Sequence, residues 1–299
     1  MNNVFHAGEL AVQRQAGVAD MAARVGRGIK STILPAAAHF LQERPFAIIA
    51  STDSEKRPWA TLLTGTPPFM RVLDEQTLLV QALPLASDPL LATLQAGGEV
   101  GLLAIDFATR RRMRLNGTAV WRDGELIIQS GQVYANCPKY IQTRTLSIRP
   151  FTSEPPESST APQLSTEQVG WIATADTFFI ATAHPQGGAD ASHRGGNKGF
   201  VHVKDNQQLI IPDYSGNMMF NTLGNIAANP KAGLLFYDFE GNRLLQLTGQ
   251  AKIVWDEAQI AHHAGAERLV LFDTEQVIET KNALPFLWTF QSFSPFNPH

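Results

Sequence analysis

Three consecutive polar residues, Ser192, His193 and Arg194, stand where the alternation of a strand would otherwise bury one face. Gly195 and Gly196 follow directly, and residues without a side chain let another group approach the backbone closely. A phosphate that leaves water needs charge-assisted hydrogen bonds, which a guanidinium and a hydroxyl donate. The segment therefore predicts a ligand site. The alternative is an exposed turn that carries a surface arginine.

A second polar cluster, residues 213–217 (DYSGN), precedes a predicted helix that begins near Asn221 and Thr222. The N-terminus of a helix presents unpaired N–H groups and the positive end of its dipole, so an anion fits there. Asn221 or Thr222 could equally be a plain N-cap. Because capping and phosphate binding are compatible, this alternative does not exclude the site.

Other residues with reactive side chains form weaker patterns. The basic run 110–114 (RRRMR) is interpreted as a solvated hairpin turn. His262 and His263 are adjacent on a predicted helix, where their rings diverge by about 100° and cannot chelate together. Cys137, the single cysteine, excludes a disulfide framework and a zinc site built from cysteines. No metal site is predicted.

The overall composition disfavours two classes of partner. Lys and Arg number 24 against 27 Asp and Glu, a net charge of −3, whereas a protein that binds nucleic acid normally has a basic excess or stripe. No apolar run of about 18 residues is present, and nothing resembles a signal peptide, so we expect no membrane partner and a cytoplasmic location.

The chain contains an internal repeat, which must position these residues. Residues 101–107 (GLLAIDF) recur as 233–239 (GLLFYDF), 132 residues later. Four segments in the same order at nearly constant spacing indicate a duplication. The further pairs are 46–50 with 178–182, 68–78 with 199–209, and 116–119 with 248–251.

Each copy predicts a mainly β fold with short helices. A helical lead, over 36–42 in the first copy and 166–174 in the second, is followed by six short strands with one interposed helix, a pattern typical of a closed or nearly closed β-barrel. We expect an N-terminal helical segment over 1–30, a first barrel over 31–151, a Pro/Ser-rich linker over 152–163 and a second barrel over 164–299. Residues 5–30 are predicted to form one amphipathic helix with Met21 on its apolar face, and the aromatic-rich residues 284–296 to pack on the second barrel.

Residues 188–196, 199–205 and 211–225 together resemble the FMN-binding split barrel of pyridoxamine 5′-phosphate oxidase-like proteins. The opening Phe5-His6 and Gly8-Glu9 is similar to the tandem members of that family. The resemblance implies two tandem FMN-binding split barrels and FMN as the cofactor, with the second barrel carrying the site. The cofactor-binding residues it implies are Ser192, His193, Arg194, Gly195, Tyr214, Ser215, Asn217, Asn221 and Thr222.

The first copy lacks these groups. It has Thr61-Leu62-Leu63 at the positions of Ser192-His193-Arg194, without a cation. We therefore expect it to be degenerate and to serve as scaffold, or to lend a wall of residues such as Trp59, Thr61 and Thr64 to the flavin ring.

The resemblance implies an FMN-dependent oxidoreductase with unknown substrate and electron donor, working as a homodimer. Catalytic residues are not assigned, because in such proteins the flavin carries the chemistry. Two alternatives stay open: a non-enzymatic flavin-binding or haem-binding protein, and a cofactor-free interaction module.

Overall fold

The computed structural model describes residues 4–149, 154–186 and 188–298, and the fold is mainly β with short helices. The first half contains α1 (Ala7–Gln15), α2 (Ala19–Gly26), α3 (Pro35–Gln42), β1 (Phe46–Thr52), β2 (Pro58–Thr64), β3 (Met70–Asp74), β4 (Thr77–Val80), α4 (Leu91–Ala96), β5 (Gly98–Asp106), β6 (Arg111–Arg122), β7 (Glu125–Asn136) and β8 (Thr143–Ile148). The second half contains β9 (Glu157–Ala161), α5 (Thr166–Ile172), β10 (Thr177–Ala183), β11 (Ala189–Gly195), β12 (His202–Val203), β13 (Gln208–Tyr214), α6 (Asn221–Ala228), β14 (Lys231–Asp238), β15 (Arg243–Val254), α7 (Glu257–Ile260), β16 (Ala266–Lys281) and β17 (Phe286–Ser292).

Each half forms an antiparallel sheet, and the two sheets have the same strand order. The first runs β2-β1-β5-β6-β7-β4-β3, and the second runs β11-β10-β14-β15-β16-β13-β12. The hydrogen-bonded path ends at two unpaired edges in each sheet, so each half is a split barrel. Seven strands lie on each path, where the sequence pattern predicted six. The missed strand of the first half, β7, follows Asp123-Gly124, whose positive φ angles of 53° and 85° are those of a type I′ hairpin turn.

The two sheets pack against each other through a shared apolar core. Phe46, Ile48 and Leu103 of the first half meet Phe179 and Leu235 of the second half in this core, and all five are buried. Strands at the contact are therefore buried on both faces, since one face fills its own barrel and the other covers the partner sheet.

Two glycines allow this close approach. A Cβ atom at Gly101 would lie 2.5 Å from the carbonyl oxygen of Ala189, and one at Gly233 would lie 2.3 Å from that of Pro58. Pro58 is the first residue of β2, and Ala189 is the first residue of the equivalent strand β11. The two glycines likewise occupy matching positions on β5 and β14. The contacts are thus reciprocal, as in a two-fold symmetric interface.

The N-terminal segment differs from the single helix predicted over residues 5–30. It forms α1 and α2, separated at Gly17, whose φ of 71° no helix accommodates. Met21, predicted on the apolar face, is 50% exposed, whereas Val12 is buried in the core of the second barrel. The consequence for the site is that α1 packs directly on α6.

Two further strands pair outside the paths given above, and one of them connects the halves. Within the predicted linker, β9 pairs with β16 and extends the second sheet. The aromatic C-terminal segment, which we predicted to pack on the second barrel, instead forms β17 and pairs with β8 of the first half. Among the described residues, no helix has the length and apolar character needed to cross a membrane.

Candidate functional site

A cleft of about 790 Å³, measured to its open mouth, lies between the two halves. The first half contributes the beginning of β6 and the segment that follows β7. The second half contributes β11, β13, the loop after β13 and the start of α6. We call it the arginine cleft, because Arg112, Arg114, Arg194 and Arg268 all line it.

Arg114 of the first half is buried against polar groups of the second half. Its Nη1 lies 3.2 Å from Oδ1 of Asp190 and 3.2 Å from the hydroxyl of Tyr134, and its Nη2 donates to Oγ of Ser192. The Ser192 hydroxyl is in turn 2.9 Å from Oγ1 of Thr222. A buried guanidinium is tolerated here because a buried carboxylate neutralises it and hydroxyls accept its hydrogen bonds.

Arg112 lies on the same face of β6, two residues earlier. Its Nη1 is 2.8 Å from Nδ1 of His193, and its Nε donates to the carbonyl of Cys137 at 3.0 Å. Because a guanidinium only donates, Nδ1 of His193 accepts and the ring proton resides on Nε2. Burial, together with the positive charge of Arg112, lowers the pKa of His193 well below its usual value, so the ring is neutral.

Arg194 and Arg268 share one carboxylate. Asp213 accepts from Nε of Arg268 at 3.0 Å, while Nη2 of Arg194 is 3.9 Å from its other oxygen. The Arg268 guanidinium also lies over the ring of Phe220, 4.8 Å from the centroid. Asp213 is the only Asp or Glu among the described residues that line the cleft.

The loop after β13 leads into α6 through unusual backbone angles. Met218 and Phe220 have φ values of 65° and 62°, a left-handed conformation that costs energy for residues with side chains. Phe220 is the N-cap residue of α6, and no described side chain caps the helix. The N-cap role considered for Asn221 or Thr222 is therefore wrong: both are helical residues, and the first-turn N–H groups remain available for a ligand.

Glu9 of α1 does not line the cleft but contacts Asn221, which does. Its Oε1 accepts from Nδ2 of Asn221 at 2.5 Å, and its Oε2 accepts from the backbone N–H of His6 at 2.8 Å. Oδ1 of Asn221 is in turn 3.4 Å from Nη1 of Arg114. Burial raises the pKa of Glu9 to about 7.

The structure brings most of the predicted site residues together. Ser192 is fully buried beneath the cleft, where it contacts Arg114, and Ser215 contributes only a carbonyl, which accepts from the hydroxyl of Tyr140 at 3.0 Å. The predicted residues that line the cleft are His193, Arg194, Gly195, Tyr214, Asn217, Asn221 and Thr222.

The first-half contribution differs from the prediction. Trp59 is buried in the core of its own barrel, and Thr61 and Thr64 line another cleft. The interpretation of residues 110–114 as a solvated turn is wrong for Arg112 and Arg114, which strand alternation turns inward. The signal was present in the spacing of the two arginines along β6. The lining residues that sequence reasoning missed include Arg112, Arg114, Asn136, Cys137, Tyr140, Asp213 and Arg268.

A smaller cleft of about 380 Å³ occupies the equivalent position on the other side of the interface. Leu62, Leu244 and Gln246 line it where the arginine cleft has His193, Arg112 and Arg114. Nε2 of Gln246 donates to Oδ2 of Asp88 and to the carbonyl of Ala60, both at 3.0 Å. We call it the counterpart cleft. No Lys or Arg is among its described lining residues.

The arginine cleft is built for an anion. Four guanidinium groups line it against one lining carboxylate, Asp213. Asp190 and Glu267, outside the lining, pair with Arg114 and Arg268, so four guanidinium groups face three carboxylates and one positive charge is left in excess. Two buried donors, Nε of Arg114 and Nε2 of His193, have no hydrogen-bond partner among the described residues. Unpaired buried donors are rare and indicate a partner outside the protein, so the residues present fit a phosphorylated cofactor. No group of three His, Cys, Asp or Glu among the described residues could hold a metal ion.

Comparison with solved structures gives matches of low identity. HupZ from Group A Streptococcus is 14% identical over 39% of this chain and 98% of its own, with a TM-score of 0.32. A FAD-binding protein from Mesorhizobium loti is 15% identical over 42% and 97%, with a TM-score of 0.31. HutZ, the haem storage protein from Vibrio cholerae, is 12% identical over 45% and 99%, with a TM-score of 0.28.

No curated protein matches the chain significantly. The sequence model of the pyridoxamine 5′-phosphate oxidase family matches residues 164–284, which span α5 to β16 and contain every second-half residue that lines the arginine cleft. Over these residues, the second half of the chain is therefore similar to the pyridoxamine 5′-phosphate oxidase family.

Proposed function

We propose that the arginine cleft binds FMN and that the chain is an FMN-dependent oxidoreductase of the pyridoxamine 5′-phosphate oxidase-like class. The observation that carries this proposal is the excess of guanidinium groups, contributed by β6, β11 and β16, around one enclosed cleft. Substrate and electron donor are not assigned by this observation.

Arg194, Thr222 and the uncapped N-terminus of α6 are the groups that would hold the phosphate. Arg194 is held only loosely by Asp213, at 3.9 Å, so it is available to a stronger anion. The first-turn N–H groups of α6 add donors and the positive end of the helix dipole.

Arg112 and His193 are the groups that would face the isoalloxazine ring. Bound FMN would supply hydride or electron transfer at this position. Arg112 adds a positive charge, and His193 presents a neutral Nε2–H donor, because its other nitrogen is occupied by Arg112. Both effects stabilise negative charge on a ring that is being reduced.

The first half takes the place of a partner subunit in this proposal. It supplies Arg112, Arg114 and Tyr140 to a cleft whose remaining lining comes from the second half. One chain therefore contains a complete cleft. The homodimer implied by the resemblance stays a separate prediction, tested by light scattering: a mass near 32.7 kDa with flavin retained would contradict it.

The proposal is tested by the absorption spectrum of the purified protein and by FMN titration. We expect flavin bands and saturation at one FMN per chain, since the counterpart cleft lacks cations. A Soret band would favour the haem-binding alternative, and a colourless protein that ignores added FMN would contradict the proposal.

Cys137 provides an independent readout of where FMN binds. It is the only cysteine of the chain and lines the arginine cleft. We expect FMN to slow its alkylation by iodoacetamide, with Cys137→Ser as the control for labelling elsewhere. An alkylation rate that saturating FMN leaves unchanged would place the flavin outside this cleft.

A further inference from the structure

A larger cleft opens beside the arginine cleft, on the first half alone. It occupies about 1,180 Å³, between residues 28–37 on one side and the ends of β6 and β7 on the other. We call it the apolar cleft. Its apolar surface comes from Leu34, Ala37, Phe40, Met113, Val133 and Tyr134.

The charged residues of the apolar cleft all have the same sign. Lys30, Arg110, Arg111 and Arg112 line it, and no Asp or Glu is among its described lining residues. Arg110 is already held by the carbonyl of Ile141 at 2.9 Å and by Ser292. These cations disfavour a positively charged occupant and attract an anionic one.

Arg111 and Lys30 are the two lining cations that are available to a ligand. Both are exposed, and neither side chain makes a hydrogen bond or ion pair with any described residue. The Arg111 guanidinium lies 4.9 Å from the centroid of the Phe40 ring, which forms part of the apolar wall. A charged group and an apolar surface therefore adjoin at one end of the cleft.

The apolar cleft and the arginine cleft share a wall. Arg112 and Asn136 line both of them. Oδ1 of Asn136 is buried and has no hydrogen-bond partner among the described residues. Tyr134, on the floor of the apolar cleft, donates and accepts within the Arg114 network of the arginine cleft. A molecule in the apolar cleft would thus lie next to whatever occupies the arginine cleft.

We infer that the apolar cleft binds the substrate of the flavin reaction, and that this substrate is a small molecule with an apolar body and one anionic group. The inference rests on the proposed function, because the shared wall places the occupant beside the flavin site. The apolar body would pack along Phe40, Met113 and Val133, with its anionic group at Arg111.

Binding is tested with 1-anilinonaphthalene-8-sulfonate, an apolar sulfonate, by fluorescence titration of the FMN-saturated protein. N-phenyl-1-naphthylamine serves as the uncharged probe of similar shape. Ala37→Trp fills the apolar cleft, and Arg111→Gln removes the available charge that adjoins the Phe40 ring. Arg122→Gln is the matched control, since its side chain is 75% exposed on the same strand and lines neither cleft.

We expect Arg111→Gln to weaken sulfonate binding about fivefold, the size of a partly exposed charge contact, and to leave the uncharged probe unchanged. Ala37→Trp should abolish the binding of both probes at this site without changing the FMN dissociation constant. Sulfonate affinity that is equal in the wild type and in both variants would overturn the inference. Failure to bind FMN would instead overturn the proposed function, so the two failures are distinguishable.

Discussion

The arginine cleft and the counterpart cleft are built on the same strands and differ in a few side chains. Where the first has Arg112, Arg114 and His193, the second has Leu244, Gln246 and Leu62. The strand order and the reciprocal glycine contacts are the same in both halves. The comparison shows that one backbone arrangement carries two clefts of different charge. The difference lies in a few inward-facing positions.

The difference also has an energetic side. Buried charges must be desolvated, and replacing them with well-packed apolar groups is often neutral or stabilising. In the counterpart cleft, uncharged residues stand at the positions of the arginines. Its one carboxylate, Asp88, accepts hydrogen bonds from Thr61 and Gln246. The arginine cleft keeps its buried charges, so its groups are expected to respond strongly to substitution. The predictions below use this contrast, from the largest expected effect to the smallest.

Arg114→Gln, which copies residue Gln246 of the counterpart cleft, should destabilise the protein by about 3–5 kcal/mol. The substitution leaves Asp190 buried without the charge that now neutralises it at 3.2 Å. Urea unfolding measures the effect, and Arg122→Gln, exposed on the same strand, should change stability by no more than about 0.5 kcal/mol. A loss below about 1 kcal/mol would show that Asp190 does not depend on Arg114.

Glu9→Gln should remove the pH dependence of stability that Glu9 contributes beside the arginine cleft, and should leave that of the buried Asp88 in the counterpart cleft unchanged. The pKa of Glu9 is raised to about 7, so the folded state holds a proton that the unfolded state releases above its ordinary value near 4.5. Its contribution to stability is therefore present at low pH and is lost as pH rises through about 7, by about 3 kcal/mol in total.

The measurement is the unfolding free energy of the wild type minus that of Glu9→Gln, between pH 5 and pH 8. Subtracting the two unfolding free energies cancels the contribution of His193, which has the opposite pH dependence. Because the pKa of His193 is lowered, the stability that it contributes is lost as pH falls. A difference that stays flat over this range would contradict the buried, protonated state of Glu9.

Arg194→Ala should weaken FMN binding about 10- to 100-fold. Losing a charge-assisted contact to a buried phosphate costs about 1.5–3 kcal/mol, and the counterpart position already carries Leu63. Flavin titration of variant and wild type measures the two dissociation constants, with the exposed Lys198→Ala as the control. Equal constants for Arg194→Ala and wild type would refute the role assigned to Arg194.

Gly101→Ala and Gly233→Ala should each destabilise the protein by about 1–3 kcal/mol, because the new methyl group meets backbone of the opposite half. Of the two, Gly101→Ala alone should weaken FMN binding. Its methyl group would lie against Asp190, which pairs with Arg114.

Gly170→Ala is the control for these two variants. Gly170 lies within α5 with open space around it, so the change should stabilise by about 0.5–1 kcal/mol. Thermal unfolding ranks the three variants. Equal FMN affinity of Gly101→Ala and Gly233→Ala would contradict the prediction that only the contact at Gly101 supports the arginine cleft.

Local pattern was enough to predict much of the fold. The helical leads expected over 36–42 and 166–174 correspond to α3 and α5, and the helix near Asn221 is α6. Helix spacing, strand alternation and turn residues, on which the predicted helices and strands rest, are properties of short segments. The polar groups of β11 were recognised for the same reason, since they interrupt an apolar pattern.

The rest of the cleft depends on contacts between distant residues. Arg114 and Ser192 are 78 positions apart, and Glu9 and Asn221 are 212 apart. A run of arginines after a turn has the sequence pattern of an exposed segment, and only the packing of the second sheet buries it. The sequence around Glu9 likewise does not indicate that α1 packs on α6. One clue was available: Arg112 and Arg114 share one face of an alternating strand.

The pairing of β17 with β8 places the C-terminal segment against one edge of the arginine cleft. Tyr140 lines the arginine cleft just before β8, and its backbone N–H donates to Oγ of Ser294 at 3.1 Å. That contact and the whole β8–β17 sheet join residues more than 130 positions apart, the kind of pairing that forms slowly. Because synthesis is N-terminal first, both barrels emerge before the strand that secures this edge. We therefore expect the Tyr140 edge of the arginine cleft to be completed late in folding.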